Sequence, residues 1–79
     1  NKRMTEKNLQ ELQKLGFTFI CYFKDGKFII ESKSRTGNLA ITEGCSDYKT
    51  LEERIVDGLY KMIQSIKDSL GEEAAKTYI

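Results

Sequence analysis

Apolar residues along this chain change their period twice. They stand three apart at Leu9, Leu12 and Leu15. They crowd and alternate from Phe17 to Ile30, and return to three- and four-residue steps from Leu51 to Leu70. The first and last spacings place side chains on one face of a helix; alternation places them on one face of a strand. The pattern predicts a helix over Glu6–Leu15, with Thr5 as its N-cap and Met4 and Leu9 as a hydrophobic staple. Gly16 offers the left-handed residue that ends such a helix, after which Phe17 folds back on Leu12.

The segment Phe17–Phe23 is rich in aromatic and β-branched residues and predicts a strand. Asp25-Gly26 follows at once, and a two-residue turn of this kind needs positive φ at both positions. A second strand is expected over Lys27–Ser34, a turn at Arg35–Asn38, a third strand over Leu39–Glu43 and a loop from Gly44 to Lys49. A long helix over Leu51–Leu70 carries Leu51, Ile55, Leu59, Met62, Ile63, Ile66 and Leu70 on one face. Its start, Thr50-Leu51-Glu52-Glu53, matches a capping box. Gly71 ends it, and Glu72–Ile79 adds a short helical tail. The expectation is a single α+β domain over 1–79, in the order α-β-β-β-α: a three-stranded antiparallel meander with helices packed on one face.

The turn also fixes a register. Lys24 opposes Lys27, Phe23 opposes Phe28, Tyr22 opposes Ile29 and Cys21 opposes Ile30. One face of the sheet then holds Phe17, Phe19, Cys21, Phe23, Phe28, Ile30, Leu39 and Ile41, and is expected to form the core with the long helix. The other holds Thr18, Ile20, Tyr22, Lys24, Lys27, Ile29, Glu31 and Lys33, with Ala40 and Thr42. With no helix over it, this second face is the candidate interaction surface, centred on Ile20, Tyr22 and Ile29.

Composition narrows the chemistry. The 79 residues fit one domain, and a domain this small buries only ~60% of its unfolded surface. There is no histidine, and there are two cysteines without Cys-x-x-Cys spacing, so a zinc site and the commonest general base are missing. The glycines match no phosphate-binding loop or dinucleotide fingerprint. Glu52 and Glu53 read as helix-start acids, Cys21 as a small core hydrophobe and Cys45 as a loop thiol. No catalytic residue, cofactor or metal is therefore expected. No apolar run is long enough to span a membrane and no signal peptide is visible, which predicts a cytoplasmic protein with reduced thiols.

Net charge is only +1, which argues against an acidic DNA mimic and a strongly basic nucleic-acid arm. Residues 1–42 carry eight basic and four acidic side chains, a net of +4; residues 43–79 carry five basic and eight acidic, a net of −3. Halves of opposite sign suit self-association. The first strand, an edge in a meander, has none of the usual guards against pairing, and the last helix outreaches a small sheet. Phe17, Phe19, Ile63, Ile66 and Leu70 are accordingly the candidate contacts of a homodimer; the alternative is that the first helix and the Glu72–Ile79 tail cover these surfaces within one chain.

Two resemblances bear on function. The order α-β-β-β-α is that of double-stranded-RNA-binding domains, but where those present lysines at the start of the last helix this chain has Lys49-Thr50-Leu51-Glu52-Glu53. Gly44-Cys45 followed by Thr50-Leu51-Glu52-Glu53 is similar to a segment of HicB-type antitoxins, which also follows a hairpin; their proline-bearing loop is absent here. That resemblance implies a small protein that neutralises another by docking on it. The sequence thus predicts a non-enzymatic domain, a homodimer that docks on or inhibits a partner protein. The alternative is an RNA- or DNA-binding module using the Tyr22/lysine face.

Overall fold

The computed structural model describes residues 2–79, with side chains from Glu6 onward. The elements are α1 (Lys2–Lys14), β1 (Thr18–Lys24), β2 (Lys27–Lys33), β3 (Ala40–Cys45), α2 (Tyr48–Leu70) and α3 (Glu72–Tyr78). The strands form one antiparallel sheet in the order β1-β2-β3. An α+β meander is thus the observed fold, with helices packed against the sheet.

Local chemistry sets most of the boundaries. Asp25 (φ 53°) and Gly26 (φ 78°) form the two-residue turn, and β1 pairs with β2 in the expected register from Thr18–Lys33 to Lys24–Lys27. At the end of α1, Phe17 N–H donates to the Leu12 carbonyl (3.1 Å) and Gly16 N–H to that of Gln13 (3.0 Å). This is the Schellman pair of bonds, and it seats Phe17 beside Leu12, both buried. Gly16 is required twice over. Its φ is 103°, and a Cβ there would lie 2.8 Å from the Cβ of Arg35.

Both helix starts differ from expectation. α1 begins at Lys2, so Thr5 lies inside the helix rather than capping it; the Met4 staple falls outside the described side chains. α2 begins at Tyr48, capped by Asp47, whose carboxylate accepts from Thr50 N–H (2.9 Å) and from the Thr50 hydroxyl. Thr50 is therefore a donor in the first turn, not the cap, and Glu53 has no capping partner. Asp outranks Thr as a cap, and it stands three residues earlier. The strand β3 is also shifted. Gly44 and Cys45, expected in a loop, pair with Ile29 and Phe28.

The core lies between α2 and the sheet. Leu51, Ile55, Val56, Leu59 and Ile63 of α2 are buried with Leu12, Phe17, Ile30, Leu39 and Ile79. Gly58 lets the helix come close, since a Cβ there would lie 2.7 Å from Ile41 Cδ1. The tail is not loose: α3 folds back so that Ala75 and Ile79 join the buried set. The Tyr78 carbonyl accepts from the Thr36 hydroxyl (2.8 Å) and the Asn38 amide (2.9 Å), and Thr36 N–H donates to the Ile79 carbonyl (3.3 Å). A strap therefore ties the chain's end to the β2–β3 turn.

Coverage of the sheet is uneven. α2 packs on β3 and, to a lesser extent, on β2. A helix with its side chains is ~10–12 Å across and strands are ~4.8 Å apart, so one helix covers about two strands. β1 is left to α1, which packs mainly against α2. Along β1 only Phe19 is half-buried, and every other residue is exposed. This corrects the expected core. Ile30, Leu59 and Ile63 are buried and Phe19 and Phe28 pack half-buried against them, but Cys21 and Phe23 are exposed although they face the helix side.

Candidate functional site: an uncovered strand and the open sheet face

On the side of the sheet away from the helices, the register sets side chains in rows. Lys24 lies beside Lys27; Tyr22 beside Ile29 and Gly44; Ile20 beside Glu31 and Thr42; Thr18 beside Lys33 and Ala40. All the residues expected on this face are there. Ile20 is 59% exposed and Tyr22 39%, with Ile29 half-buried between Tyr22 and the backbone of Gly44. Because Gly44 has no side chain, Ile29 is approachable from the β3 side.

One polar link crosses this apolar cluster. The Tyr22 hydroxyl donates to Glu31 Oε2 at 2.7 Å. That bond holds the phenol's proton, and together with slight desolvation and the carboxylate's charge it raises the Tyr22 pKa. It lays the ring of Tyr22 toward Glu31 of the neighbouring strand.

The lysines do not form one patch. Lys24 and Lys27 sit at the hairpin end, whereas Lys33 is six residues along β2, about 20 Å away. Glu31 lies between them and is engaged with Tyr22. A phosphate backbone needs several cations within its own repeat, and this face offers a pair at one end and a single lysine at the other.

On the helix side, the end of the hairpin carries an aromatic cluster that the sequence pattern reveals only in part. Phe23 meets Phe28 edge-on at 5.0 Å, and Phe28 meets Tyr48 at 5.6 Å. The cross-strand pair is legible in the register; Tyr48 is not, because it belongs to a segment expected as loop. Burial first, then the charge of Glu52, raises the Tyr48 pKa. Phe23 is 62% exposed, so this cluster ends in an uncovered ring.

The expected dimer contacts separate. Phe17 (2% exposed) and Ile63 (5%) belong to the core of a single chain and are unavailable to a partner. Phe17 is pinned there by the Schellman end, and Ile63 shares the core with Ile79 of α3. Phe19 and Ile66 pack half-buried against the core; Leu70 remains 46% exposed.

Two of the concavities among the described residues are small. A groove of about 190 Å³ lies among Leu15, Ile63, Lys67, Ala75 and Ile79, and one of about 120 Å³ separates α1 from β1, lined by Leu9, Gln13, Phe19, Cys21, Ile30 and Tyr48. Both fall below the ~300 Å³ at which small-molecule sites begin. A third, of about 410 Å³, is lined by Glu6, Tyr48, Lys49 and Glu52, so the Tyr48 ring meets charged side chains there. Among the described residues no group of three or more His, Cys, Asp or Glu is placed to hold a metal ion, and no helix is long and apolar enough to cross a membrane.

No protein family, curated protein or solved structure matches this chain. The likeness of Gly44-Cys45 and Thr50–Glu53 to HicB-type antitoxins rests on those residues alone, and in this fold Gly44-Cys45 closes β3 while Asp47 starts the helix.

Proposed function

We propose that this chain is a non-enzymatic interaction domain that docks on or inhibits a partner protein, and that it does so as a homodimer. One observation carries the reading: β1 is rich in large apolar residues, yet it is uncovered on both faces except at Phe19. Ile20 and Tyr22 on one side and Phe23 on the other are large apolar groups in water. Contiguous exposure of this kind marks contact surfaces in small domains. An open face with lysines only at its ends and Glu31 at its centre agrees with a protein partner better than with a phosphate chain. Two free cysteines, one of them exposed, suit the reducing cytoplasm.

Affinity capture from the native host with wild-type, Tyr22→Ala and Ile29→Ser baits tests the docking face. The expected result is a partner held by the wild type and lost by both variants, each with an unchanged circular dichroism spectrum. Nucleic-acid binding is the competing reading, and a salt titration against labelled RNA and DNA separates the two. Phosphate contacts give affinity that falls steeply with salt. The proposal expects no binding at physiological ionic strength, and tight, salt-steep binding there would replace it.

A further inference from the structure

We infer that two copies of the chain join edge to edge through β1, antiparallel about a twofold axis at Cys21, to make one continuous six-stranded sheet. The inference rests on the homodimer proposed above and specifies its interface.

The two-residue turn makes Lys24–Lys27 a hydrogen-bonded pair, and such pairs alternate along an antiparallel ladder. The main-chain groups of Lys24, Tyr22, Ile20 and Thr18 therefore point toward β2. Those of Phe23, Cys21 and Phe19 point outward, and among the described residues no strand pairs with that edge. It also lacks proline, a bulge and any central charge, since Lys24 at its end is the only charged residue of the strand.

The sequence of β1 selects the occupant. Thr18-Phe19-Ile20-Cys21-Tyr22-Phe23-Lys24 has the same character read in either direction: polar ends, then phenylalanines, then large apolar residues, about a central cysteine. A twofold interface requires that residue i meet residue j and j meet i, which a strand of this symmetry satisfies with itself. Centred on Cys21, Phe19 meets Phe23 of the second copy on the helix side, and Ile20 meets Tyr22 on the open side. Thr18 faces Lys24, so no like charges oppose. The outward groups of Phe19, Cys21 and Phe23 then form a complete ladder across the junction. The other edge offers no such match: β3 exposes Ala40, Thr42 and Gly44 and turns Ile41 and Cys45 toward α2. The joined sheet would carry two copies of the Ile20–Tyr22–Ile29 cluster side by side.

Thiol cross-linking reads the register. Cys21 is exposed, and across the axis it faces its own copy at a Cα separation of about 5.5 Å. The two Cys45 residues would stand five strand spacings and four residues of offset apart, about 27 Å. A Cys45→Ser protein treated with a short bismaleimide is expected to become a covalent dimer. A Cys21→Ser protein is expected to sediment as a dimer yet resist the reagent. Phe23→Lys and Ile20→Lys, both at exposed positions, are expected to weaken dimerisation about tenfold or more with the fold retained by circular dichroism. A wild type that sediments only as a monomer at micromolar concentration overturns the dimer and this pairing together. A dimer that fails to cross-link through Cys21, whether or not Leu70→Cys in a cysteine-free background cross-links, overturns the pairing and leaves the dimer standing.

Discussion

Ser32 is the exception in the core face of β2. It is buried, and its hydroxyl has no hydrogen-bond partner among the described residues. A buried polar group left unsatisfied costs roughly 1–3 kcal/mol. Ser32→Ala is therefore expected to raise stability, by about 1 kcal/mol, seen as a higher urea midpoint at unchanged slope; a fall of that size would show the hydroxyl to be bonded. Asp47 makes the opposite case. The Thr50 hydroxyl and N–H both donate to its carboxylate and hold its pKa below the ordinary value. A carboxyl whose folded pKa is depressed stabilises the fold fully above its unfolded pKa, near 3.9, and loses that contribution as pH falls through the folded value. Asp47→Asn keeps a good cap without a titrating group, so it is expected to match the wild type at neutral pH and to lose part of the acid sensitivity. Asp47→Ala is expected to be less stable at both. Urea titrations at pH 7 and pH 3 check all three proteins.

At the scale of elements, α2 and α3 solve a mismatch of length. The 23 residues of α2 extend about 35 Å, whereas strands of seven residues extend about 23 Å. The overhang is covered from within the chain: α3 turns back at Gly71 (φ 86°) and lays Ala75 and Ile79 against it. Ile79→Ala is expected to cost about 2 kcal/mol or more, the range for a buried isoleucine in a core. Asn38→Ala, which removes one bond to the strap, is expected to cost about 0.5–1.5 kcal/mol. Chemical denaturation measures both, and a silent Ile79→Ala would mean that the strap does not hold in solution. The uncovered β1 predicts a contrast on the sheet. Leu59→Ala is expected to cost about 2–5 kcal/mol, and Phe28→Ala, half-buried, less than the 3–5 kcal/mol of a fully buried phenylalanine.

The whole molecule extends 40 × 24 × 18 Å, with α2 packed on one side of the sheet and, among the described residues, no helix on the other. A core this thin leaves stability marginal, and association adds to it by mass action. A homodimer is therefore expected to melt at a temperature that rises with protein concentration, and Phe23→Lys to move that rise to roughly tenfold higher concentration or more. A melting temperature that stays constant over a hundredfold dilution range would speak for a monomer.

Local chemistry made much of this legible. The Asp25-Gly26 turn and strict alternation give the whole β1–β2 register, and Leu12, Gly16 and Phe17 give the end of α1, because each depends on neighbours in sequence. The residues expected on the open face follow from the same alternation. The capping of α2 depends on a choice between two nearby side chains, Asp47 and Thr50, both good caps, so pattern alone misplaced it. Coverage lay beyond the sequence altogether. Alternation tells which way Cys21 and Phe23 point but not whether anything stands in front of them. That was decided by the width of one helix against three strands, and by α3 folding back over Ile63. Both are properties of packed layers, set by distances between segments far apart in the chain.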